Sequence, residues 1–212
     1  MDLILQQLHS HYLASASRSS EIWGQERRFV PGDRLFVQAP SGTGKTSLIH
    51  LLYGLRNDAS GAIFWDTTDW LKATAETKAL LRAGPLSVVF QDLRLFGELT
   101  LWENLLIKKA LGAPETDATI ETWLNRLGLA HRRDTPAKLL SYGEQQRTAI
   151  LRALIPDFQW LLLDEPFSHL DARNTEAALN LILEVAAQRN AGILYAELDA
   201  NPIFPATQLF QL

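Results

Sequence analysis

Residues 39–46 read APSGTGKT, and they stand where an apolar run, RLFVQA, gives way to the helical spacing of KTSLIHLLYGL. Few short features restrict a fold so tightly. Gly42 and Gly44 let the backbone curl until successive N–H groups converge, and the following helix adds the positive end of its dipole. The spacing is that of a phosphate-binding loop, with Ala39 in place of the usual first glycine. Ala39 lies at the strand end, so this change removes no phosphate donor. Ser41, Gly42, Thr43 and Gly44 are therefore expected to cradle a nucleotide. Lys45 is expected at the β- and γ-phosphates, the Thr46 hydroxyl on Mg²⁺, and Ser47 near the α-phosphate. A chance Gly/Ser turn before a lysine would not need to fall on a strand-to-helix junction.

The rest of the chain alternates in kind. RRFV and RLFVQA are short β runs around the turn signal PGD, while AIFWD, LSVVF, QWLLLD and GILYA read as further strands. GEQQRTAILRAL and TEAALNLILEVAAQ have helical periodicity. Continuously apolar strands between helices imply an α/β fold with a mostly parallel core sheet covered on both faces, plus a small N-terminal antiparallel β portion. From about residue 92 to 137 the pattern is helical, with TLWENLLIKKAL and TIETWLNRLGL its clearest stretches. That stretch reads as a lobe inserted into a single domain spanning 1–212.

Composition narrows the setting. The chain has 212 residues, a formal net charge of −4 and no cysteine, so disulfides and Cys-ligated metals are excluded. A mildly acidic chain without basic clusters is a poor nucleic-acid binder. No apolar run approaches the roughly 20 residues of a membrane span, and MDLILQQLHSHY lacks the basic start of a signal peptide. A cytoplasmic chain is expected, touching a membrane only through a partner.

WLLLDEP ends a buried strand with Asp164 and Glu165. Downstream of a phosphate loop, Asp164 is placed to hold Mg²⁺ and Glu165 to polarise an attacking water as general base. The order of motifs then carries a resemblance. LSYGEQQR, residues 140–147, resembles the signature of the ATP-binding cassette (ABC) ATPases, usually LSGGQ, with Tyr142 and Glu144 as departures. Gln91 in VVFQDLRLF resembles the family's Q-loop, Asp164 and Glu165 its Walker B end, and SHLD, residues 168–171, its D-loop.

This resemblance implies a P-loop NTPase with ATP and Mg²⁺ as ligands, in which two copies sandwich two ATPs. Ser141 and Gly143 would then serve the nucleotide of the second copy, and Tyr142 and Glu144 would have to face away from phosphate. Gln91 would touch Mg²⁺ or water. Tyr12 would stack on adenine, or equally stand as an ordinary strand-end tyrosine. An integral membrane permease would place a short helix on the inserted lobe, where Leu95, Phe96, Leu99 and Trp102 are candidates to line the groove or to fill the lobe core. The FGELTLWENLL segment looks most like the lipoprotein-release, macrolide-efflux and cell-division subgroup, whose cassettes sit on the cytoplasmic face of the inner membrane.

One family element is missing. Leu198, between Glu197 and Asp199, falls where a histidine normally contacts the γ-phosphate. His169 lies in the D-loop stretch, and His9, His11, His50 and His131 are elsewhere, read as surface or satisfied histidines. The sequence ends shortly after, so no C-terminal regulatory domain is expected. Two alternatives stand beside a transporter ATPase: an ATP-gated scaffolding module with little hydrolysis, and a soluble ABC ATPase acting on DNA or ribosomes.

Overall fold

The computed structural model describes residues 1–12, 20–199 and 203–212. Apolar patterning sorts its strands onto two sheets. β1 (Leu3–Ser10), β2 (Glu26–Phe29), β4 (Ala59–Trp65) and β5 (Thr68–Asp69) form an antiparallel sheet in the order β2-β1-β4-β5. β3 (Arg34–Gln38), β6 (Leu86–Val89), β7 (Trp160–Asp164), β8 (Gly192–Glu197) and β9 (Gln208–Gln211) form a wholly parallel one, ordered β6-β7-β8-β3-β9.

β1 buries Leu3 and Leu5, then Leu8 and Ser10, so its alternation slips by one residue. The slip is a bulge: register against β4 shifts between Gln6 and His9, and Gln7 has φ 45°. Opposite it, Gly61 has φ 84°, and a Cβ there would lie 2.3 Å from the Gln7 carbonyl oxygen. Only glycine fits that position.

The helices are α1 (Lys45–Leu52), α2 (Ala75–Ala83), α3 (Leu101–Lys109), α4 (Asp117–Arg126), α5 (Tyr142–Leu154) and α6 (Ala172–Gln188). Side chains of Thr74, Thr100, Thr116, Ser141 and Asp171 accept backbone N–H bonds and so fix where α2 to α6 begin. The helical pattern expected from residue 92 starts only at Leu101. Before it, the chain is irregular, and Leu93 and Arg94 take left-handed φ values of 58° and 49°.

Two hydrophobic cores flank the parallel sheet. Leu35, Val37, Leu162 and Leu194 pack on one face with α1 and the antiparallel sheet. Phe36, Leu161, Leu163, Ile193 and Tyr195 pack on the other with residues of α3 to α6. Trp65 of the first sheet and Trp160 of the second bring their ring centroids within 5.8 Å, joining the sheets. Register pairs Val89 with Leu163, Asp164 with Ala196 and Gln38 with Glu197. The C-terminal ends of β3, β6, β7 and β8 therefore share one edge, the edge where open α/β sheets hold ligands.

Candidate nucleotide site

At that edge β3 runs into the loop of residues 39–44. Gly42 and Gly44 have φ values of 81° and 108°, the left-handed conformation the curl requires. Gly44 also caps α1, whose first-turn N–H groups have no carbonyl within the helix to bond. Ser41, Gly42, Gly44, Lys45, Thr46 and Ser47 line a cavity of ≈180 Å³ with Gln91 and Glu165. Thr43 stands aside, its hydroxyl donating to the Pro40 carbonyl at 2.7 Å.

Lys45 is 5% exposed and folded back on its own loop. Its ammonium donates to the carbonyls of Ala39 at 2.7 Å and Pro40 at 3.2 Å, and lies 3.4 Å from Glu165 Oε1. The amide of Gln91 donates to Glu165 Oε2 at 3.3 Å, and its Oε1 accepts from the Thr46 hydroxyl at 3.5 Å. Thr46, Gln91, Glu165 and Lys45 thus form a chain of polar contacts along the cavity. Glu165 reaches it from a left-handed backbone, φ 48°. Its N–H is tied to the Ala196 carbonyl at 3.0 Å, and its carbonyl accepts from Gln146 at 3.3 Å. A non-glycine residue in that region costs about 1–3 kcal/mol, tolerated because both its backbone groups are pinned.

Asp164 lies one residue earlier and is fully buried, with neither carboxylate oxygen hydrogen-bonded. Burial pushes its pKa up to about 6; the neighbouring Thr46 hydroxyl pulls the other way, Glu165 raises it, Lys45 lowers it, and Glu197 raises it. Two orphaned buried oxygens beside a threonine hydroxyl form a donor set suited to a hard divalent cation. Among the described residues no group of three or more His, Asp or Glu side chains could hold a metal by itself. A cation here would need oxygens from substrate and water.

Ser141 and Gly143 lie outside this cavity, at the start of α5. The family model described as ABC transporter matches residues 26–168. The chain belongs to the ABC transporter family. A lipoprotein-releasing system ATP-binding protein, LolD, from Legionella pneumophila (strain Paris) is 32% identical over 203 residues, 93% of this chain and 89% of the relative. Its namesake from Pseudomonas fluorescens is 33% identical over 182 residues, 84% and 80% of the two chains. Among solved structures, the dimeric post-hydrolysis state of the ATP-binding cassette MJ0796 bound to ADP and Pi superposes with a TM-score of 0.79. It is 20% identical over 94% of this chain and 88% of that one.

In this ABC chain the two departures in the signature have local roles. Glu144 closes a capping box with Ser141: its Oε2 accepts from the Ser141 N–H at 2.8 Å, while Ser141 Oγ accepts from the Glu144 N–H at 3.3 Å. Its other oxygen accepts from Arg132 at 2.9 Å. Tyr142 lays its ring 4.3 Å from that of His169 and donates its hydroxyl to the Gln91 carbonyl at 3.4 Å. Tyr12 is 74% exposed beneath the guanidinium of Arg56 and does not line the cavity.

Sequence reasoning misses three residues that hold these parts together. Arg152, at the far end of α5, donates to the carbonyls of Leu93 at 2.7 Å and Arg94 at 2.6 Å, the two left-handed residues. Asn104, fully buried, bonds the backbone of Phe96, Leu99 and Thr100. Gln146 ties Glu165 to Ser168 and His169. A buried polar residue on an apolar helix face is the one sequence signal that could have found them. The four residues expected either to line the groove or to fill the lobe core divide between the two. Trp102 is core, its ring covered by Arg133, and Leu95 packs against the same core. Phe96, 55% exposed, borders a small cleft with Tyr53, Phe90 and Lys108, whereas Leu99 lines no cavity described.

Proposed function

We propose that this chain is the ATP-binding and ATP-hydrolysing subunit of an ABC transporter or mechanotransmission complex. It works as a pair of copies on a separate integral membrane permease. The observation that carries this reading is the chain of contacts from Thr46 through Gln91 and Glu165 to Lys45 along a phosphate-loop cavity, with the orphaned carboxylate of Asp164 one residue before Glu165.

In this reading the loop amides of residues 41–47 and the Lys45 ammonium bind the triphosphate. Lys45 exchanges two backbone carbonyls for phosphate oxygens, which are stronger acceptors for a cation. Asp164, Thr46 and Gln91 would hold Mg²⁺, which when bound neutralises charge on the phosphate oxygens. Glu165, freed from Lys45, accepts a proton from the attacking water at its carboxylate, and Gln91 orients that water. Ser141 and Gly143 complete the site of the second copy, and Tyr12 serves adenine. The chain is one domain, with residues 92–137 as its lobe.

No described helix is long and apolar enough to cross a membrane. We place the chain at the cytoplasmic face of the inner membrane through its permease, with lipoprotein release, named for its relatives, as the subgroup. No nucleic acid is involved. A second reading, an ATP-gated scaffold with little hydrolysis, is favoured by Leu198, which brings no side-chain donor to the site, and by the altered signature at Tyr142 and Glu144, and is disfavoured by Glu165. Replacing Lys45 with alanine tests the main reading: titration calorimetry should show ATP binding lost or weakened at least about a hundredfold. Unchanged affinity would overturn the assignment.

A further inference from the structure

At the end of the parallel sheet opposite the phosphate loop, β3 and β8 begin beside the end of α6. A cavity of ≈260 Å³ lies there, lined in part by Gly32, Arg34, Leu183, Ala187 and Asn190. Side chains alternate along β3, so Arg34 shares a face with Phe36, the face that packs with α6. The Arg34 backbone is pinned by Thr207: its N–H donates to the Thr207 hydroxyl at 2.9 Å, and its carbonyl accepts from the Thr207 N–H at 2.8 Å. The guanidinium has no such tie. Its Nε is buried without a hydrogen-bond partner, and no acidic residue lines the cavity.

A cation at a helix C-terminus can stand there for the helix dipole alone. Here the last-turn carbonyls are already engaged: those of Val185, Ala186 and Ala187 accept from the N–H groups of Arg189, Ala191 and Asn190. Asn190 brings a second polar group to the same wall from a left-handed backbone, φ 49°. Among the described residues its carboxamide makes no hydrogen bond. A Cβ on Gly32 would lie 2.9 Å from Asn190 Oδ1, so glycine at 32 leaves the carboxamide its place. A buried guanidinium N–H without an acceptor is unfavourable until one arrives, and a carboxylate matches its planar fork. The rest of the wall is aliphatic. At roughly 30 Å³ for each water-sized group, the cavity takes a ligand of about six to eight non-hydrogen atoms.

We propose that this cavity binds a short aliphatic monocarboxylate, its charged end on Arg34 and Asn190 and its tail on Leu183 and Ala187. The site shares no residue with the nucleotide cavity. A ligand there joins the start of the strand that ends in the phosphate loop to the end of α6. The guanidinium selects the charge, and the small aliphatic wall limits the length of the tail.

The full chain, labelled with ¹⁵N, is titrated with butyrate and followed by amide NMR. Shifts should centre on the amides of Gly32, Asn190 and Ala191, with a Kd of about 0.1–10 mM for so small a ligand. Butyramide, uncharged and of the same shape, should bind at least about tenfold more weakly. Arg34→Met keeps the stem and should abolish that preference. Asn190→Gly keeps the left-handed backbone and should weaken butyrate about three- to tenfold. Ala187→Phe, on the exposed side of α6, should fill the cavity and weaken both ligands. Equal binding of butyrate and butyramide, or butyrate binding unchanged in Arg34→Met, would overturn the proposal. Inorganic phosphate bound as tightly as butyrate would overturn the aliphatic ligand. No shift up to about 50 mM butyrate, well above the expected Kd, would leave water as the acceptor of the guanidinium and overturn the site. ATP affinity, measured on every variant and expected unchanged, reports separately on the nucleotide site.

Discussion

At the end of β8, Glu197 is held by its neighbours: Leu198 donates its N–H to one carboxylate oxygen at 2.9 Å, and the Tyr195 hydroxyl donates to the other at 3.1 Å. Burial raises this carboxyl above its ordinary pKa; the bonds from Leu198 and Tyr195 lower it, Glu165 raises it and Lys45 lowers it. Glu197 and Glu165 therefore feel each other across the site, and a second carboxylate beside bound phosphate is repelled. Leu198 itself is 40% exposed and has no polar atom beyond its backbone. In the proposed mechanism, that leaves the γ-phosphate without a side-chain donor on this side. Leu198→His should raise steady-state ATP turnover about tenfold or more, within the range general acid–base and positioning groups contribute. Glu165→Gln should silence both backgrounds. Turnover unmoved by the new imidazole would mean that another group already fills the role.

Helix α5 works as a brace between loops. Its N-terminus reaches the Gln91 carbonyl through Tyr142, and its C-terminal half grips Leu93 and Arg94 through Arg152. The capping box that starts it has an acid-sensitive component. Burial alone would raise the Glu144 pKa, but bonds from the Ser141 N–H and hydroxyl, together with Arg132, outweigh it and lower the value. A carboxyl depressed in the folded state adds stability that is complete above its unfolded pKa and is lost as pH falls through the folded one. Glu144→Gln should therefore melt about 2–4 °C below wild type at pH 7, for a loss of about 1 kcal/mol. By calorimetry the two curves should converge below about pH 4. A constant gap at all pH values would show that the carboxylate charge is not what matters.

The elements legible beforehand were those whose pattern is local. α5, α6 and strands β3, β7 and β8 carry unbroken periodicity, and the phosphate loop its own spacing. β1 was illegible because its bulge breaks alternation at Gln7, and a bulge is decided by the partner strand. α2 has no fully buried residue, so no apolar stripe announced it. β9 shows only Phe210 buried, too little to mark a strand. The stretch before Leu101 misled because its leucines mimic helical spacing, while Arg152 and Asn104, distant in sequence or buried, hold it irregular. Asp164, Glu165 and Gln91 were named from motif order, but the contacts that join Gln91 and Glu165 to Thr46 and Lys45 depend on three strand ends meeting in space.

At the scale of the whole molecule, Ser141 and Gly143 lie apart from the cavity of their own chain, so under the proposed function their ligand belongs to a second copy. Glu165→Gln should yield an ATP-dependent dimer in light scattering, because binding groups remain while the base is lost. Adding Ser141→Arg should return it to monomer by placing bulk and charge at the shared surface. A monomer with Glu165→Gln and saturating ATP would count against the sandwich.

The six tryptophans are divided by region. Trp23, Trp65, Trp70 and Trp160 belong to the core shared by the two sheets, whereas Trp102 and Trp123 belong to the core beneath α3 and α4. Trp65 and Trp160 are close enough, at 5.8 Å and a 55° tilt, for their indole transitions to couple. The molecule thus carries its own chromophore pair across the seam between its sheets. Ultraviolet circular dichroism of that pair reads whether the sheets stay docked, while Trp102 and Trp123 emit from the core beneath α3 and α4.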